Sequence, residues 1–174
     1  MAPSTERRVA LGFARRAVGW LGGIFLWVCL LSFSPADPPS HSVWPPNDPP
    51  GNLCGAVGAW IAYQLFYHFG VGTYALVVML MVVVLTRKAQ EGHIARWMRF
   101  LGVLIVTSAT CAWGTLLITS SDGYLLSGPG GTVGMITAGF LDTYLQNAGA
   151  HLVLISALIV GLILAADEVV VRMA

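Results

Sequence analysis

Apolar residues in this chain are grouped into runs too long for ordinary core elements, and the runs recur in one order. The first, Ala17–Phe33 ("AVGWLGGIFLWVCLLSF"), carries no charge and is followed by a polar, proline-rich stretch, Ser34–Asn52. From Asn52 to Leu85 there is again no formally charged side chain, and charges return only in "TRKAQEGHIARWMR", Thr86–Arg99. Then the order repeats: apolar Phe100–Thr119, the polar Gly-rich loop "SSDGYLLSGPGG", and a second long apolar segment, Thr132–Ala166. A helix rises about 1.5 Å per residue and a bilayer core is about 30 Å thick, so ~20 residues are enough to cross. The second and fourth runs are much longer than that, so part of each must lie flat, re-enter or tilt. "FGVGTY" supplies the break in the first of them, because Gly70 and Gly72 together weaken a helix. The pattern therefore predicts spans at about 17–33, 70–86, 100–119 and 150–166, with outer-surface helices at about 53–69 and 131–147, between short tails at 1–16 and 167–174.

Sliding the chain so that Gly55 falls on Gly131 also sets Val57 on Val133, Gly58 on Gly134, Ala62 on Ala138 and Leu65 on Leu141. The two halves share an orientation: span, outer loop, Gly-rich outer helix, span. That is a parallel repeat. Helix association in lipid depends on close approach through small residues. Gly55, Gly58, Ala59 and Ala62 in one copy, and Gly131, Gly134 and Ala138 in the other, recur at three- and four-residue spacings that share a helix face. They are the candidate packing seam, against each other or against the spans.

Composition agrees with the pattern. Charged residues make up 10% of the chain and hydrophobic ones 56%, where a soluble domain carries about 25% charged residues. The fold class is all-α, a polytopic membrane protein with four transmembrane helices. The charge distribution sets its orientation. All nine basic residues fall in three segments: Arg7, Arg8, Arg15 and Arg16 before the first span, Arg87, Lys88, Arg96 and Arg99 in the central loop, and Arg172 in the tail. The other two loops carry only Asp37, Asp48 and Asp122. The positive-inside rule then puts both termini and the central loop in the cytoplasm, and four crossings satisfy it. Beside a membrane helix these Arg and Lys residues are topology determinants, with anionic lipid head groups as partners. A cleavable signal peptide ending at "SPAD" competes for the first span, but that apolar run exceeds the usual h-region and holds two Trp, which favours a retained helix.

Candidate chemistry is sparse. The three cysteines form no CxxC pair and read as structural, and no metal site or cofactor follows from spacing. His68, Asp142 and His151 are the ionisable groups inside the long apolar segments. Such groups are costly in lipid and mark either an ion path or a polar position at the interface. His68 closes the first outer helix, Asp142 lies in the second and His151 begins the last span, places that favour the interface. No GxxxxGK[ST] is present, and "GPGGTVG" at Gly128–Gly134 lacks the lysine that a phosphate loop needs.

The run "GAVGAWIAYQLFYHFGVGTYAL", after "SFSPADPP", resembles the N-terminal four-helix membrane domain of the FtsK/SpoIIIE family of bacterial DNA translocases. Gly55, Gly58, Ala59, Ala62, Leu65, Phe66, Phe69, Gly70, Tyr74 and Ala75 carry the likeness, and "GPGGTVGMITAGFLDTYLQNAGAHLVL" is similar to the family's second Gly-rich stretch. Tyr63 stands where an acidic residue is common in the family, so no carboxylate role transfers there. The resemblance implies a membrane anchor and oligomerisation unit for a motor acting in cell division and chromosome partition. It implies a location in the bacterial inner membrane at the septum, with residues 167–174 starting a cytoplasmic linker. It also implies self-association and divisome proteins as partners, no enzyme activity in this segment, and DNA contact only through a motor absent from this chain. A stand-alone scaffold, or a small transporter or channel subunit, is the alternative. A transporter would need a polar path, for which the spans offer Thr107, Ser108, Thr110 and Ser156.

Overall fold

A computed structural model describes residues 5–40, 42–86, 92–118 and 127–166. Five α-helices, and among the described residues no strand, build the domain: α1 (Thr5–Leu31), α2 (Gly55–Phe69), α3 (Gly72–Thr86), α4 (His93–Leu117) and α5 (Gly131–Ala166). Three stretches are long and apolar enough to cross a bilayer alone: Gly12–Leu31, His93–Leu117 and Gly131–Ala165. At 15 residues, α3 is only about 22 Å long. It joins α2 across a bend of 109° at Gly70–Val71, and the bent pair supplies the fourth candidate span.

The repeat is written in the backbone. Helix α2 and the first half of α5 both start at a glycine with positive φ, Gly55 at 64° and Gly131 at 63°. Both end at a residue with positive φ in the same register: Gly70 at 50° closes α2, and Gln146 at 54° breaks α5 into 131–145 and 147–166. Only glycine takes such a conformation freely. Gln146, with ψ 178°, sits in a region that costs a residue bearing a Cβ about 1–3 kcal/mol. Gln146→Gly is therefore expected to raise the thermal midpoint in detergent, by the equivalent of about 1 kcal/mol after the flexibility glycine adds to the unfolded chain. An unchanged or lower midpoint would count against strain at the break.

Small residues set which helices meet. A Cβ at Gly19 would strike the Val84 side chain, and one at Gly23 would lie 2.9 Å from the Met81 side chain. At the other end of the same pair, Trp27 stacks on Tyr74 with ring centroids 5.9 Å apart. So α1 and α3 run antiparallel. Likewise a Cβ at Gly102 would come within 2.6 Å of both Gly161 O and Ala165 N, while Trp113 meets His151 at the far end, which makes α4 and α5 antiparallel. Met79, Val103, Val106 and Ala165 join the two halves in one core cluster. Between apolar helices in lipid the hydrophobic effect contributes little, and such close fits supply the attraction instead.

The proline-rich loop differs from the extended, polyproline-like course that its composition suggests. It is a series of turns and bends wrapped around Asp37, which is 3% exposed. The Asp37 carboxylate accepts hydrogen bonds from Asn47 Nδ2 (2.7 Å), Gly51 N (2.8 Å) and Asn52 N (2.9 Å). A carboxylate that collects several N–H groups outweighs the local preference of the prolines.

Candidate functional site

Both α2 and the 131–145 half of α5 present small residues to a long apolar helix, and Gly131 also packs on the end of α2. In α2, Gly58, Ala59 and Ala62 are buried. Ala62 and Phe66 pack among Cys29, Leu30, Phe33 and Val77, and a Cβ at Gly58 would lie 3.2 Å from Cys29 Sγ. The partner of this face is the end of α1. In α5, a Cβ at Gly134 would lie 2.7 Å from Cys111 C and 2.8 Å from Thr115 Oγ1. Ala138 joins Ala109, Ala112, Leu141, Ala150 and Leu154. The partner of this second face is α4. Gly55 is exposed, with nothing within 4 Å of where a Cβ would be. Its contribution is the positive φ that opens α2.

The copies meet end to start. Val71 N donates to Pro129 O at 2.7 Å, the Thr132 hydroxyl reaches His68 O at 3.4 Å, and a Cβ at Gly131 would come within 2.6 Å of Gly70 N and His68 O. From below, the Cys111 thiol donates to Phe69 O at 3.1 Å. The α2–α3 break is thus held on three sides: by residues 128–132, by α4, and by its own Thr73, whose hydroxyl donates to Leu65 O at 2.8 Å. Carbonyls and N–H groups left over at a helix break inside an apolar domain need such partners.

The three ionisable candidates stay apart. His68 is exposed, with Nδ1 3.3 Å from Thr132 Oγ1. His151 is half-buried and accepts the Trp113 indole N–H at Nδ1, 2.9 Å away, so its neutral ring carries the proton on Nε2. Asp142 is exposed on the 131–145 half of α5. Among the described residues, no group of three His, Cys, Asp or Glu side chains is placed to hold a metal ion.

The described basic side chains gather at the opposite end of the bundle from His68 and His151. Arg15 and Arg16 precede the Gly19–Val84 contact, and Arg96 and Arg99 precede the Gly102–Ala165 contact. Arg15, Arg16 and Arg96 are exposed, whereas Arg99 is only 5% exposed, turned into the protein rather than out to a membrane surface. Arg7 and Arg8 lie within α1, whose described side chains begin after them, and Arg87, Lys88 and Arg172 fall outside the described residues. Sequence reasoning missed Asp37 and Asn52. Asn52 is 4% exposed and donates to Cys29 O (2.8 Å) and Ser32 O (3.2 Å), two of the orphan carbonyls at the end of α1. The one available signal was an Asp and an Asn at the two edges of a proline-rich loop.

Comparison with known proteins follows the same outline. Residues 14–174 match the family described as the 4TM region of DNA translocase FtsK/SpoIIIE. The DNA translocase FtsK of Vibrio vulnificus (strain CMCP6) is 33% identical over 147 residues, which cover 80% of this chain and 14% of that protein. The DNA translocase FtsK of Rickettsia prowazekii (strain Madrid E) is 25% identical over 128 residues, covering 74% of this chain and 16% of that protein. The chain thus spans about a seventh of the length of these relatives. No solved structure matches it.

Proposed function

Since the chain belongs to the family of the 4TM region of DNA translocase FtsK/SpoIIIE, we propose that it anchors and helps assemble an FtsK-type translocase acting in chromosome segregation at division. The family match over residues 14–174 is the observation that carries this reading. It is supported by a bundle whose long helices are apolar enough to cross a bilayer. DNA movement belongs to the rest of such a translocase, and this segment contributes position: a bacterial inner-membrane address and subunits held side by side. The same reading puts both termini and the 87–91 loop in the cytoplasm. Its support is that the described basic side chains share one end of the bundle, where anionic head groups attract Lys and Arg. A transport path is the less favoured function, because His68 and His151 sit at the other end, His68 beside Thr132 and His151 beside Trp113.

Two exposed positions test the orientation, Ser42 in the proline-rich loop and Thr86 at the end of α3. In a background with the native cysteines replaced by serine, a membrane-impermeant maleimide added to intact spheroplasts is expected to label Ser42→Cys. Thr86→Cys should label only after permeabilisation. The reverse pattern would overturn the orientation. Self-association is read separately, as multiples of the 18.5 kDa chain by native mass spectrometry from detergent; a monomer at every concentration would remove assembly from the proposal.

A further inference from the structure

Residues 52–54 fold back onto the last turns of α1. Asn52 Nδ2 donates to Cys29 O, and its Oδ1 accepts the Cys54 N–H at 3.0 Å. From there the Cys54 thiol reaches Phe25 O at 4.0 Å. Phe25 and Cys29 are one helical turn apart and share a face, so the Cys54 sulfur lies on the face of α1 that carries Cys29. Gly58 keeps the space open: a Cβ there would collide with Cys54 Cβ and come within 3.2 Å of Cys29 Sγ. Cys111 is engaged elsewhere, at Phe69 O.

We propose that Cys29 and Cys54 form a disulfide that staples the end of α1 to the start of α2 on the outer side of the membrane. The compartment, though not the pairing, rests on the orientation argued above. Disulfides persist in oxidising compartments such as the periplasm. The oxidant is a disulfide, protein or small molecule, acting by thiol–disulfide exchange. Cys54 is partly exposed and Cys29 is fully buried, so Cys54 meets the oxidant first. Its thiol loses a proton and the thiolate attacks one sulfur of the oxidant, forming a mixed disulfide and releasing the first thiolate. Cys29 then loses its proton and attacks Cys54 Sγ, closing the bond and releasing the second thiolate. Each released thiolate takes up one proton. Two protein thiols are oxidised, and one disulfide is reduced to two thiols.

The test uses the full chain in membranes, acid-quenched and alkylated with N-ethylmaleimide in denaturing detergent, then weighed intact. Of the three cysteines, only Cys111 is expected to carry an adduct before reduction, and all three after it. Cys29→Ser is expected to give two adducts under both conditions. Three adducts without reduction, persisting after incubation of the detergent-solubilised protein with oxidised glutathione, would overturn the pairing, as would a cross-linked peptide containing Cys111. Three adducts in membranes that fall to one after oxidised glutathione would support the pairing and overturn the orientation instead.

Discussion

Gly70→Ala is expected to cost the domain about 3–5 kcal/mol, a large share of the stability of any single domain. Two independent penalties act at this one position. The backbone stands at φ 50° and ψ −133°, in a region that only glycine populates without strain. The added methyl would also fall on the Pro129 carbonyl oxygen and come within 2.5 Å of Gly131 N. Both neighbours are backbone atoms, so no rotamer change relieves the overlap, and either the α2–α3 bend opens or residues 128–131 move. Moving them strains the Val71–Pro129 hydrogen bond that joins the two copies. Gly139→Ala makes the opposite case by the same chemical change. Gly139 is exposed inside the 131–145 helix, with nothing within 4 Å of where its Cβ would lie, and alanine there is expected to gain about 0.5–1 kcal/mol from helix propensity. Melting in detergent, followed by loss of the size-exclusion peak, should move in opposite directions for the two variants. Equal midpoints would mean that the bend is not a fixed joint.

The contrast between these glycines shows where the sequence was legible. The repeat could be read because its marks are local: glycine is the residue that takes positive φ without strain, and Gly55, Gly70 and Gly131 do. The bend at Gly70 could be predicted from "FGVG" for that reason. The matching break in α5 could not, because Gln146 occupies it and nothing in a glutamine announces such a backbone. Gly58, Ala59, Ala62, Gly134 and Ala138 are buried, whereas Gly55, of the same spacing, is exposed; small-residue spacing names candidates for a packed face. It could not choose their partners, because α1 and α4 present smallness of their own, and the choice is made by contacts such as Gly134 on Cys111 that join distant parts of the chain. By its neighbours in sequence Arg99 belongs with the topology-setting cations, yet it is buried. Its burial depends on which face of α4 meets the rest of the bundle, and a charge count carries no such information.

Asp37→Ala carries the second large effect, expected at about 2–4 kcal/mol. By sequence this residue is one more polar group in a proline-rich loop; in the fold it organises the loop. Its Oδ1 accepts Asn47 Nδ2 and Gly51 N, and its Oδ2 accepts Asn52 N. Hydrogen bonds to a charged acceptor are the stronger kind, and deleting the acceptor strands the buried Asn52 N–H, which costs more than the bond was worth. The loss should spread along a defined route. Asn52 is held by Asp37 through its backbone and in turn holds Cys29 O and Ser32 O through its amide. A freed loop therefore loosens the junction of α1 and α2 as well. Asp37→Asn should lose less, because one oxygen keeps Asn47 and Gly51 while only Asn52 N faces an amide NH2. Asp48→Asn, at an exposed position of the same loop, should stay within about 0.5 kcal/mol of the parent. Limited proteolysis adds a local readout: cleavage between residues 38 and 51 should rise sharply in Asp37→Ala and hardly at all in Asp48→Asn, since local opening exposes the backbone before the bundle melts. Equal cleavage and equal midpoints for the two would show that the loop is held by its prolines, with the carboxylate a bystander.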